Sequence, residues 1–164
     1  MTLIDEIFEA NRRYAAAFEA GALGVRPRRG IAILTCMDAR YTAQAALGFA
    51  LGDVHVIRNA GGRATPDALR SLVLSAAFLG TRRCIVVHHT NCGLYGRTNQ
   101  ELAAAVREVS GATPEIDFLP FADVEQSVRD DVATVRASAY LPDGYEVIGF
   151  VYDVRTGRVS LVEG

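Results

Sequence analysis

Three short apolar runs, Ile31 to Thr35, Val54 to Ile57 and Cys84 to Val87, punctuate the chain with a helical pattern after each. Such alternation predicts an α/β architecture, because consecutive parallel strands need a crossover and a helix is the usual one. Cys84 to Val87 carries no polar alternation, so both of its faces need cover, as in a parallel strand between helices. At 164 residues, half of them apolar, the chain buries one substantial core rather than two, which predicts a single domain over 1–164.

The helices announce themselves through their ends. Leu3, Ile4, Ile7, Phe8, Tyr14, Ala15 and Phe18 recur at helical spacing behind a Thr2 and Asp5 cap, predicting an amphipathic helix that ends near Gly21. Its apolar face calls for a partner surface, read here as a second subunit. A further helical pattern follows Arg40. Thr65, Pro66 and Asp67 start a helix with Leu69, Leu72, Val73 and Ala76 as its buried stripe, stopped by Gly80. Thr98 with Glu101 forms a capping box for a helix running to about Glu108. Gly111, Pro114 and Pro120 mark Ser110 to Ala122 as a long loop. Asp123 then opens a helix bearing Val124, Val128, Val132 and Val135, and Tyr145 to Val162 reads as two strands joined near Gly157. The expected fold is a mostly parallel central sheet flanked by helices, with an antiparallel strand added from the C-terminal tail.

Charge narrows the partners. A formal net charge of -2 without a basic stripe argues against nucleic acid. No apolar run approaches the length of a membrane span, and Asp5, Glu6 and Glu9 make the start unlike a signal peptide, so a cytoplasmic protein is expected. Three cysteines cannot all pair, and in a reducing compartment they serve as ligands, nucleophiles or core residues. Cys84, inside an apolar strand, reads as core.

The other two cysteines follow strands. The first strand runs into Cys36-Met37-Asp38-Ala39-Arg40 and the third into His88-His89-Thr90-Asn91-Cys92-Gly93. In open α/β sheets, sites form at the carboxyl ends of strands, so these segments are expected to meet. Cys36, His89 and Cys92 supply the thiolate and imidazole donors that zinc prefers, three in number, as in a catalytic site with an open position. His88 and His89 point to opposite faces of a strand, so only one can ligate. The spacing selects His89 and leaves His88, like His55, as a hydrogen-bonded structural residue. Gly61 and Gly62 lack the strand-to-helix fingerprint of a dinucleotide site.

Cys36-Met37-Asp38-Ala39-Arg40, Arg58-Asn59-Ala60-Gly61 and His89-Thr90-Asn91-Cys92-Gly93 resemble, in order and spacing, the three signature segments of the β-carbonic anhydrase family. The resemblance implies a zinc lyase, a carbonate dehydratase, that hydrates carbon dioxide reversibly to bicarbonate and a proton by zinc-bound hydroxide. It implies Zn2+ held by Cys36, His89 and Cys92, with Asp38 and Arg40 as a catalytic dyad, and a homodimer or higher homo-oligomer. Gly61, Tyr95 and Phe118 are expected to line the substrate pocket. Relatives with the same ligands hydrolyse carbonyl sulfide or carbon disulfide, which is the nearest alternative. A noncatalytic zinc-binding or redox thiol module is the alternative of another class. Three ligands rather than four, and no Cys-x-x-Cys pair, speak against it.

Overall fold

β1 (Ile31–Cys36) lies at the centre of the molecule, buried along its whole length. In the computed structural model, which describes residues 1–164, it pairs in parallel with β2 (Val54–Asn59) on one side and β3 (Arg83–His89) on the other. β3 pairs in parallel with β4 (Glu146–Tyr152), and β5 (Val159–Val162) returns antiparallel along β4. The five-stranded order is β2-β1-β3-β4-β5. This is the α/β fold that the alternation of runs and stripes predicts, with its antiparallel C-terminal addition.

Both faces of the sheet are covered, which explains why β1 and β3 lack alternation. On one face, Leu34, Cys84 and Val86 pack with Leu72 of α3 (Pro66–Ala77) and with Val128, Val132 and Val135 of α5 (Val124–Arg136). α5 sits so close to β4 that a Cβ on Gly149 would lie 2.4 Å from Val128 Cγ1. On the other face, Ile31, Ile33, Ile85 and Val87 pack with Tyr41, Val54 and Ala43 of the short α2 (Ala43–Ala46). Cys84 is fully buried in the core, as its surroundings in the sequence imply.

Three expectations change. The leading helix α1 (Leu3–Ala16) has the full Thr2 and Asp5 capping box but stops at Ala16, short of Gly21, so Phe18 lies beyond it. The helical pattern after Arg40 yields one turn only, closed by Gly48 at positive φ. The buried face of α3 is Ala68, Leu72, Ser75 and Ala76 rather than the purely apolar stripe, because the Ser75 hydroxyl is satisfied by His55 and Thr81. α4 (Asn99–Ser110) carries the expected box between Thr98 and Glu101, and the long loop after it precedes α5.

α1 buries none of its residues. Leu3, Ile4, Ile7 and Phe8 each expose more than half their surface. No helix is long and apolar enough to cross a membrane.

Candidate metal centre

β1 and β3 are neighbours in parallel, so their carboxyl ends lie on the same edge of the sheet. Cys36 is the last residue of β1 and His89 the last of β3. A tight turn with Asn91 at φ 55° brings Cys92 back beside His89. Thr90 secures the turn, its N–H donating to Tyr152 carbonyl and its hydroxyl to Asp153. The ligating atoms of Cys36, His89 and Cys92 all lie within 4.8 Å of one another, and all three residues are buried. The expected constellation therefore assembles.

The protonation pattern of this cluster suits a cation. His89 Nδ1 faces Thr90 carbonyl at 2.9 Å, an acceptor, so that nitrogen carries the hydrogen. His89 Nε2 is left with its lone pair toward the cysteines and has no hydrogen-bond partner although it is buried. An orphaned buried acceptor beside two unpaired thiols is what a metal ligand set presents when metal completes it. The thiols behave as a coupled pair: the hydrogen bond from Cys92 lowers the Cys36 pKa, and the same contact raises that of Cys92. A divalent ion held between them would remove this mutual penalty by favouring both thiolates.

Asp38 and Arg40 occupy the loop leaving β1. Arg40 Nε donates to Asp38 Oδ1 at 2.9 Å and Nη2 to Oδ2 at 2.7 Å, a two-pronged grip, and the Arg40 backbone N–H adds a third bond. The Arg40 fork, foremost among the causes, holds the Asp38 carboxyl well below the usual carboxylate range. Asp38 Oδ2 stands 3.8 Å from His89 Nε2, at the rim of the ligand cluster. Arg40 also donates to Asn91 carbonyl and so ties the two ligand-bearing loops together.

The remaining sequence candidates are distributed around this centre. Gly61 is buried in the short 3-10 turn Ala60–Gly62, against Leu94. Phe118 is partly buried against the apolar cluster of Cys36, Cys92, Leu94 and Phe121, whereas Tyr95 is half exposed and meets Phe121 edge-on. His88 is buried and hydrogen-bonded, as expected of a structural residue. Leu94, Phe121 and Tyr41 escape the sequence reading. Tyr41 stacks on Tyr152 and lies 5.6 Å from the His89 ring, and its hydroxyl shares a hydrogen bond with Thr35. Its position one residue past Arg40 is the signal that could have found it. Arg58 also acquires a definite place, donating to the carbonyls of Cys36 and Asp38.

Two thiols and an imidazole at the carboxyl edge of a parallel sheet, with a gripped carboxylate at their rim, form a three-donor group that could hold a metal ion. A family model described as Carbonic anhydrase matches residues 31–159. The chain is 36% identical over 162 residues to Beta-carbonic anhydrase 1 of Mycobacterium tuberculosis, covering 99% of both. It is 31% identical over 160 residues to a carbon disulfide hydrolase of Saccharolobus solfataricus, covering 83% of this chain and 78% of that one. Among solved structures, a carbonic anhydrase from Streptococcus mutans superposes with a TM-score of 0.94 at 43% identity, covering 99% of each chain. This chain belongs to the β-carbonic anhydrase family.

Proposed function

We propose that this protein catalyses the reversible hydration of carbon dioxide to bicarbonate with zinc held by Cys36, His89 and Cys92. The observation that carries the reading is the convergence of two buried thiols and the unpartnered His89 Nε2, with Asp38 fixed at their rim. Thiolate and imidazole donors in a set of three match zinc in preference to magnesium or calcium, which favour oxygen. Zinc bound there supplies a nucleophile from water near neutral pH.

The protein's own residues orient that nucleophile. Ionised Asp38 accepts only, so its Oδ2 takes a hydrogen bond from the attacking oxygen and turns a lone pair toward substrate. Arg40 keeps the carboxylate ionised and holds it off the ligand cluster. Arg58 secures the backbone on both sides of Met37 and thereby fixes the distance from Cys36 to Asp38. Gly61, Leu94, Phe118, Tyr95 and Phe121 supply an apolar wall suited to a small nonpolar gas.

The exposed apolar face of α1 supports a homodimer or higher homo-oligomer, since a row of large side chains left in water is the mark of an association surface. Three free cysteines support a reducing, cytoplasmic setting, and one five-stranded sheet supports a single domain over the whole chain.

Stopped-flow carbon dioxide hydration by zinc-loaded protein, with Cys92→Ala as control, tests the reading. Fast hydration by the parent and none by the variant is expected. Equal slow rates in both would refute it. Carbonyl sulfide or carbon disulfide hydrolysis is the second reading, supported by the likeness to the carbon disulfide hydrolase. Parallel assays with the three substrates decide between them.

A further inference from the structure

Directly behind the metal centre lies a polar network that the proposed reaction does not use. Arg63, His88 and Asp131 are all buried, and they come from the turn after β2, from β3 and from α5. Arg63 Nε donates to Asp131 Oδ2 at 2.7 Å, and Asp131 Oδ1 accepts the Ala64 backbone N–H at 3.1 Å. His88 Nε2 faces two acceptors, Gly62 carbonyl at 3.2 Å and Asp131 Oδ2 at 3.1 Å, so it carries a hydrogen. His88 Nδ1 meets the Ser127 hydroxyl at 2.7 Å. Burial alone raises the Asp131 pKa, but hydrogen bonds from His88 and Arg63 outweigh it and keep the carboxylate ionised. A buried ion pair tied to a histidine is costly to desolvate, and replacing such groups with apolar ones is often neutral or stabilising. Bulk stability is therefore a poor account of why it is here.

Its outward contacts point to another role. Arg63 Nη1 donates to the carbonyl of Leu119, a non-glycine residue at φ 55°. That strained residue sits in the segment leading to Phe121. The Phe121 ring stacks on the His88 ring at 5.9 Å and lies 5.8 Å from the Arg63 guanidinium carbon. Phe121 also joins Cys36, Cys92 and Leu94 in one apolar cluster, and its backbone bonds to Leu94 and Gly96. The second outward contact, His88 to Gly62 carbonyl, reaches a glycine packed against the Cys36 backbone. Each ligand-bearing loop is thus buttressed from the same three side chains.

We infer that Arg63, His88 and Asp131 are positioning residues that hold Phe121 against the Cys92 loop and the Gly61–Gly62 turn against Cys36, setting the apolar wall beside the metal centre. The inference rests on the reading of Cys36, His89 and Cys92 as a metal site. Arg63 is the discriminating member. Its planar fork serves Asp131 and Leu119 at once from separate nitrogens, whereas a lysine keeps the charge but gathers its donors on one compact ammonium.

Hydrogen exchange at the Gly96 and Phe121 amides of zinc-loaded protein, and the visible spectrum of cobalt-substituted protein, test this in Arg63→Lys. Exchange at both amides should quicken by about tenfold, and the cobalt bands should shift. Leu72→Val, a core variant remote from the loops, serves as the control for general destabilisation and should move neither. Unchanged exchange and spectrum in Arg63→Lys, or equal changes in Leu72→Val, would overturn the inference. Should Arg63→Lys not fold, Asp131→Asn is read by the same two measurements with the same expected and contrary results. Failure of the parent protein to hydrate carbon dioxide leaves both readouts standing, so that outcome overturns the proposed reaction and not the network.

Discussion

Gly62 backs onto Cys36 so closely that an added Cβ would lie 2.9 Å from the Cys36 backbone nitrogen. Gly62 also has a φ of 72°, which an L side chain adopts only with strain. Gly62→Ala should therefore cost roughly 1–2 kcal/mol in backbone conformation alone, with the clash in addition. Because the neighbouring backbone must move, the thiol donor moves with it. We expect a lowered Tm together with less than one zinc per chain after dialysis, read by metal analysis. A variant with full zinc and parental Tm would show that the turn yields without disturbing the ligand.

The grip of Arg40 on Asp38 has its own consequence. Both oxygens of Asp38 are engaged, so Arg40→Ala frees a carboxylate whose Oδ2 already stands near His89 Nε2. With a metal held by Cys36, His89 and Cys92, the released carboxylate would be free to compete with solvent for it. Turnover should fall by roughly 100-fold, with zinc content retained, since the three donors are untouched. Arg40 is largely solvent-exposed, so the change in Tm should be small. Retention of normal turnover would separate the pair from the chemistry.

Acid stability follows from the same pair. The folded-state pKa of Asp38 lies below its unfolded value, so its contribution is present above the unfolded pKa and is lost as pH falls through the folded one. The pair should persist through mildly acidic pH, and its contribution should begin to fade only below about pH 4. Chemical denaturation of parent and Asp38→Asn from pH 7 down to pH 3 should give a constant difference down to about pH 4 that narrows below it. Parallel curves throughout would contradict the assignment.

At the alkaline end the sign reverses. Burial pushes the Cys84 thiol up to about 12 and, chiefly by burial, the Tyr145 hydroxyl up to about 12 as well. Acids held neutral in the folded state stabilise it below their unfolded pKa values, and that stability drains away as pH rises from about 9 toward the folded values. Stability should decline over this interval, and Cys84→Ala should decline less steeply. A thiol reagent should leave Cys84 unmodified in the folded protein at neutral pH. Rapid modification there would place the side chain outside the core.

α1 offers the simplest test of assembly. Ile7 and Phe8 belong to an apolar face that no element of the chain covers. Ile7→Glu with Phe8→Glu should convert the oligomer to monomers in sedimentation, while leaving the far-ultraviolet spectrum of the sheet unchanged. An unaltered sedimentation coefficient would exclude α1 from the interface.

The sequence makes the strands readable because β1 and β3 are covered on both faces and so appear as unbroken apolar runs. Caps at Thr2, Thr65 and Thr98 mark helix starts through hydrogen bonds that depend only on neighbours three residues away. Cys36, His89 and Cys92 are legible because strand ends gather on one edge. Phe121 and Asp131 are not, for their importance lies in contacts with residues far along the chain, Arg63 being 68 positions from Asp131. Ser75 is missed for a related reason: a buried hydroxyl satisfied by His55 and Thr81 looks, in sequence, like a solvent-facing position.

Adjacent histidines at the end of β3 give the pairing of β1 with β3 a chemical check. Shifting that pairing by one residue would reverse the faces of the two imidazoles and bring His88 to the thiols in place of His89. A metal held by the correct trio would reward only the true alignment, so ion uptake and accurate sheet assembly would be thermodynamically linked. Without the ion that check would be lost, and the packing on both faces of the sheet would hold the alignment alone.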